Sequence, residues 1–212
     1  MFRKFHEPVS GFTHLGAAIV AAIGIAVLLF FVREDLAKFT SLSIYGISLI
    51  LMFTASAVYH LVKAGPRLGL FLRKLDHSAI YLVIAGTYTP ICLVYLTGFW
   101  RIGMLVIIWS LALTGIGVKL FVIHAPRWVT VGVYLLMGWL CLAAIGEILA
   151  SVPVGAIVWL VVGGLFFTVG AIIYVLKKPD FFPGRFGFHE VWHIFVILGA
   201  FSHFVIMAAF VV

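Results

Sequence analysis

Charge is what this chain has least of. Only 10% of its 212 residues are charged while 65% are hydrophobic, and the mean hydropathy is +1.26. A water-soluble domain of this size carries about 25% charged residues, so the composition excludes one and points to a chain embedded in lipid. Cysteine is almost absent too. Cys92 and Cys141 both fall inside apolar stretches, where the thiol serves as a small packing group and not as part of a disulfide framework. The apolar runs also lack the alternation of polar and apolar residues over ~10 positions that marks barrel strands. The last run contains no lysine, which excludes a retinal protein, because there is no amine for a Schiff base.

The apolar runs that remain are long. Spanning the hydrocarbon core takes ~20 mostly apolar residues, and segments near 12–32, 41–62, 75–97, 101–122, 128–149, 154–176 and 188–211 meet that length. The expectation is an all-α integral membrane protein, a single seven-helix bundle filling residues 1–212 and sitting as a multi-pass protein in the cell membrane. The first run exceeds the h-region of a secretory signal and lacks a small-residue cleavage site, so it reads as a retained helix. Between spans, "RLGLFLRKL" interleaves apolar and basic residues and reads as a short helix on the membrane surface. No repeat of 20–50 residues is visible.

The net charge of +7 is scattered between the apolar runs. That pattern speaks for membrane topology and against nucleic acid. Eleven of the fourteen Lys and Arg residues, Arg3, Lys4 and Arg185 among them, lie on the side shared by the N-terminus and the even-numbered loops. Only Arg33, Lys38 and Arg101 lie on the other side. By the positive-inside rule the N-terminus is cytoplasmic and the C-terminus outside.

This topology brings the polar residues to one end. His60 closes the second span, Asp76 and His77 open the third, and His189 and His193 open the seventh. Glu7, Ser10 and His14 surround the start of the first. His189 and His193 are four apart in "HEVWH", so on a helix they share a face with Cβ atoms ~5–6 Å apart, a spacing that suits one metal ion. The string matches the H-E-x-x-H of zinc proteases, but Glu190 is turned ~100° from His189 by helix geometry, and whether it reaches the metal stays open. Catalytic zinc takes three protein ligands and a water, and His60 is the third ligand by depth. Ser56, one turn before His60, suits a hydrogen bond that supports it. Asp76 is the natural acid or base beside the metal, since a carboxylate inside a span marks a functional site by default.

Other residues read more plainly. His14 and His77 are open between supporting the ligands and a structural role. His203 lies ten residues past His193, ~15 Å along the axis, too far to share the ligand set. His6 and His124 look like interfacial residues, as do Trp100, Trp128 and Trp159. Gly163, Gly164 and Gly170 suit close helix packing, and Glu147 reads as solvated.

The stretches "EPVSGFTH", "SAVYH", "KLDHSAIYLVIAGTYTP" and "FHEVWHIFVILGAFSHF" resemble, in order, the hemolysin III family, the bacterial branch of the progestin and adipoQ receptor (PAQR) superfamily. The resemblance implies a seven-helix bundle with a cytoplasmic N-terminus and an intramembrane Zn2+ near the inner face. It further implies that His60, His189 and His193 bind the zinc and that Asp76 holds its water, with Ser56 in the family's serine-x-x-x-histidine element. His77 after the aspartate resembles the bacterial branch, and without the long N-terminal extension of the eukaryotic receptors nothing suggests a soluble partner-binding domain.

Three functions follow as expectations. The first is a zinc-dependent hydrolase cleaving a membrane lipid amide or ester, with an acyl-chain-type lipid entering between helices. The second is a receptor or regulator of membrane energy homeostasis, with structural zinc pinning helices two and seven. The third, a pore-forming haemolysin, ranks last, because the spans offer no polar pore lining.

Overall fold

The structure is a computed structural model of the chain, and it describes residues 5–121, 125–182 and 186–212. Arg3, Lys4, His124 and Arg185 lie outside the described residues. Seven helices among the described residues are long and apolar enough to cross a membrane. They are α1 (Pro8–Phe31), α2 (Leu36–Leu61), α3 (Pro66–Tyr95), α4 (Gly98–Phe121), α5 (Arg127–Ser151), α6 (Val154–Leu176) and α7 (Phe188–Val211). Beyond them the described residues hold one isolated bridge, Phe182 to Phe186, and no strand. The chain is a multi-pass membrane protein.

Local chemistry sets the helix starts. Pro8 and Pro66 sit in the first turns of α1 and α3, where a missing N–H costs nothing and a fixed φ favours the helix. Asp35 caps α2 by accepting the N–H groups of Ala37 and Lys38 at 3.1 and 3.0 Å, which answers two of the donors a helix start leaves open. The basic segment "RLGLFLRKL" is helical, but it is the continuous first part of α3 and not a separate surface helix. Its arginines and lysines lower the hydropathy without interrupting the backbone, so α3 runs 30 residues from Pro66.

Large apolar side chains point outward on every helix. Val20, Ile47, Phe71, Val106, Leu136, Leu165 and Phe201 are all exposed, as a lipid-facing surface requires. Helices α1, α2, α3, α5, α6 and α7 follow one another around a ring that closes where α1 meets α7, and α4 packs against α3. Inside, one apolar cluster gathers around Leu42, Tyr45, Leu49 and Met52 of α2, and a second around Cys92, Leu96, Met104 and Ile148. Small residues let the helices close. A side chain at Gly163 would run into His203, and one at Gly170 would run into Trp192 and Phe195.

Helix α5 is not uniform. Residues Arg127–Gly138 are α-helical, Trp139–Ala144 form a 3₁₀ segment, and Ile145–Ser151 return to α. A change of helix type frees backbone groups that lipid cannot satisfy. Tyr88 of α3 answers them: its hydroxyl lies 2.8 Å from the carbonyls of both Met137 and Gly138 and accepts the N–H of Cys141 at 2.9 Å. Replacing Tyr88 by Phe keeps the ring and removes these bonds. The Y88F variant is expected to be destabilised by about 1–3 kcal/mol, read as a lowered unfolding midpoint in detergent. An unchanged midpoint would show that α5 holds its own geometry.

Candidate metal centre

The ring topology puts the start of α1, the end of α2 and the starts of α3 and α7 at one end of the bundle. His60, on the last turn of α2, faces His189 and His193, one turn apart on the first turns of α7. The His189 and His60 Nε2 atoms are 3.5 Å apart, and those of His193 and His189 are 3.1 Å apart. Ligand atoms of all three residues lie within 4.8 Å of one another. Tetrahedral zinc with Zn–N bonds of 2.0–2.1 Å separates its nitrogen ligands by about 3.3–3.4 Å, so the two measured spacings bracket what a bound ion needs. His60 and His193 are buried and His189 is partly buried.

A residue the sequence reading left without a role fixes the first of these rings. Glu7 places Oε2 2.5 Å from Nδ1 of His60. That hydrogen bond, working against partial burial, holds the Glu7 carboxyl below its ordinary value, so the group is an ionised acceptor. Nδ1 of His60 is therefore assigned the hydrogen, and the Nε2 lone pair faces the other two imidazoles. A carboxylate that orients a ligating histidine is a recurrent support for metal sites. The backbone reinforces it, since the N–H of Glu7 donates to the carbonyl of His60 at 2.8 Å. Glu7 stands next to Pro8 in "EPVSGFTH", and its shared end with His60 was the available signal.

Glu190, whose reach was open, is engaged elsewhere. Its Oε2 accepts the N–H of Gly187 at 2.8 Å, capping α7, and its Oε1 accepts the Ser10 hydroxyl at 3.2 Å. It binds α1 to α7 and stays out of the histidine cluster. His14 stacks on His193 with centroids 3.9 Å apart and planes 25° apart, and it meets Phe53 edge-on. His14 thus walls the cluster as a ring contact. His77 sets Nδ1 2.8 Å from the carbonyl of Arg73, a bond within its own helix, and 3.5 Å from Asp76.

A cavity of about 230 Å³ opens beside the histidines. Ser56, Asp76, His189 and His193 line it together, and the charge of Asp76 acts on His189. Ser56 is buried and makes no hydrogen bond to His60, whose Nδ1 Glu7 already occupies. His203 lines the deeper part of the same cavity, apart from the cluster. Glu147 accepts the Thr97 hydroxyl at 2.9 Å in an exposed position, far along α5 from the site.

A sequence profile of the family described as Haemolysin-III related matches residues 2–204. The chain is 34% identical over 209 residues to the Hemolysin-3 homolog of Bacillus subtilis (strain 168), across 96% of this chain and 93% of that protein. It is 32% identical over 196 residues to Hemolysin-3 of Bacillus cereus, across 92% of this chain and 86% of that protein. It is also 30% identical over 230 residues to the Adiponectin receptor protein of Drosophila melanogaster, across 96% of this chain but 50% of that protein.

The Glu7–His60 contact makes a specific prediction. Glu7→Gln keeps the size of the side chain and removes the ionised acceptor, and it is expected to weaken the binding of a metal ion such as zinc at the three imidazoles by roughly 10–100-fold. Competition against a chromophoric chelator in detergent measures this directly. An affinity equal to that of the unaltered protein would deny Glu7 any part in orienting the ligand.

Proposed function

The chain belongs to the Haemolysin-III related family, and on that premise we propose that it is an intramembrane zinc-dependent hydrolase of lipid amides or esters. The observation that carries this reading is the cluster of three imidazole nitrogens spaced for one ion, set on a cavity that a single carboxylate also lines. His60, His189 and His193 would hold the zinc. A bound zinc ion supplies a polarised carbonyl and a water acidic enough to lose its proton near neutral pH. The excess of basic residues at this end supports a cytoplasmic position for the site.

The chain's own groups do the rest. The cavity walls, apolar below the polar end, admit an acyl chain from the bilayer and keep bulk water out. Asp76 takes the proton of the attacking water and returns it to the departing amine or alkoxide. The water oxygen bonds to the acyl carbon, the C–N or C–O bond breaks, and a fatty acid leaves with the amine or alcohol. Ser56, which lines the cavity, would donate a hydrogen bond to the carbonyl side of the substrate. Glu7 acts through His60 as a positioning residue.

One observation favours a second reading. The three ligands come from α2 and α7 alone, so an ion there joins two helices of the ring, and a receptor or regulator could use it as a structural pin. The name of the Drosophila relative points the same way. Turnover separates the two. Asp76→Asn, which removes no ligand, is expected to keep the zinc content and lower lipid hydrolysis by at least ~100-fold. A chelator should abolish hydrolysis and added zinc should restore it. Full activity in Asp76→Asn would overturn the proposed base, and no turnover of any acyl lipid by the zinc-loaded protein would leave the structural pin.

A further inference from the structure

Eight described Lys and Arg residues belong to the end of the bundle that holds the histidines: Lys63, Arg67, Arg73, Lys74, Lys119, Arg127, Lys177 and Lys178. Only three of them, Arg73, Lys119 and Arg127, line the cavity, and Asp76 is the one carboxylate that lines it with them. Arg73 and Arg127 are exposed and Lys119 is half-buried, so the three stand at the edge of the cavity and not in its depth. Three cations against one anion leave the cavity mouth with an uncompensated positive charge.

The contacts around the three do not neutralise them. Lys74 donates its ammonium to the carbonyl of Leu120, next to Lys119, which ties α3 to α4. The charges of Arg73 and Lys119 act on one another and on His77. Arg127 lies over the rings of Tyr174 and Phe188 at 5.1 and 5.7 Å, and Tyr174 in turn packs 5.7 Å from His189. Among the described residues no carboxylate forms an ion pair with Arg73, Lys119 or Arg127. Like charges that border one cavity focus their field into it and draw an anion there.

Below this mouth the lining turns apolar. It continues along α3 as far as Cys92 and Leu96, twenty residues from Asp76 and thus ~30 Å along the helix axis. A charged end and a long apolar remainder describe an amphiphile whose head group is an anion. Basic pockets between membrane helices are suited to phosphate-bearing head groups, and arginine and lysine are the side chains that bind phosphate by charge-assisted hydrogen bonds.

We infer that the acyl lipid taken by this cavity is a phospholipid whose head group is net anionic, its phosphate bound by Arg73 and Lys119 with Arg127 at the rim and not balanced by a cation of its own. The inference rests on the hydrolase reading only for the fate of the lipid. In that case water adds across the acyl C–O bond, the proton goes to the glycerol oxygen, and the products are a fatty acid and a lysophospholipid that keeps the phosphate.

Binding without turnover tests the inference separately from the hydrolase reading. The zinc-loaded full chain in neutral detergent is given a fluorescent acyl phosphatidylglycerol, which is then displaced by phosphatidylglycerol, by phosphatidylcholine of the same chains, or by inorganic phosphate. Phosphatidylglycerol should compete at least about tenfold better than phosphatidylcholine, and inorganic phosphate should compete only at far higher concentration. Arg73→Gln with Lys119→Gln should collapse the ratio toward one. Arg67→Gln with Lys178→Gln removes as much charge from the same end outside the cavity, and it should preserve the ratio. Equal competition by the two lipids in the unaltered protein overturns the inference, whether or not the double variant folds. Loss of preference in the Arg67 and Lys178 variant overturns it too, by assigning selectivity to surface charge. Competition by inorganic phosphate as strong as by the lipid would mean a free-anion site and would overturn the lipid assignment. Should no lipid be hydrolysed while phosphatidylglycerol still binds selectively, the hydrolase reading fails and the head-group inference stands.

Discussion

The hydrogen bond between Glu7 and His60 joins two parts of the chain that hydrophobic packing alone would not align. Apolar contacts are non-directional, so they can bring α1 beside α2 without fixing which way an imidazole turns. The carboxylate supplies that direction. It sets the hydrogen on Nδ1, aims Nε2 at His189 and His193, and with the backbone bond from Glu7 to His60 fastens the start of α1 to the end of α2. Ser10, three residues on, donates to Glu190 and fastens the same turn to α7. The helix ring closes where α1 meets α7, so this short N-terminal segment both closes the ring and orients the cluster. Loosening it would disturb the nitrogen spacing before any apolar contact was lost.

The same demand for partners explains the interior. Where a polar group serves the scaffold, a neighbour answers it: Trp109 donates to Thr89, Trp139 to Thr168, and Tyr88 attends the 3₁₀ segment of α5. Buried side-chain atoms that find no protein partner among the described residues include those of His14, Tyr45, His193 and His203. All four of these residues line the cavity. The Ser78 hydroxyl is a further one and is not among the cavity's lining residues, so most, though not all, of the unanswered buried groups border the space a ligand would enter.

Much of this was legible in the sequence, for identifiable reasons. Span number follows from the length of apolar runs, and the common end of His60, Asp76, His189 and His193 follows from counting crossings. The histidine cluster needed only these facts and the four-residue spacing. The parts that escaped depend on contacts between distant residues or on backbone continuity. Glu7 reaches His60 across 53 positions, and nothing in "EPVSGFTH" says which helix its carboxylate will meet. The first turns of α3 read as a surface helix in the sequence because basic residues lower hydropathy while leaving helix propensity intact. The 3₁₀ segment "WLCLAA" reads like any apolar helix, since its geometry is sustained by a tyrosine from another span.

The position of Glu190 decides where chemistry at this site has to occur. In a helix carrying H-E-x-x-H, the glutamate is turned away from the face its histidines share, and here both of its oxygens are engaged by Gly187 and Ser10. The carboxylate left to the cavity is Asp76, which comes from α3 while the histidines come from α2 and α7. On the proposed reading a reacting carbonyl would therefore lie between α3 and α7, inside the ring and not on the outer face of α7. On that same reading, a lipid whose chain occupies the cavity sets its head group at the end that Arg73, Lys119 and Arg127 line. A base on the third helix would then tie the choice of substrate to the charge of that end, because Asp76 lines the same cavity as those three cations.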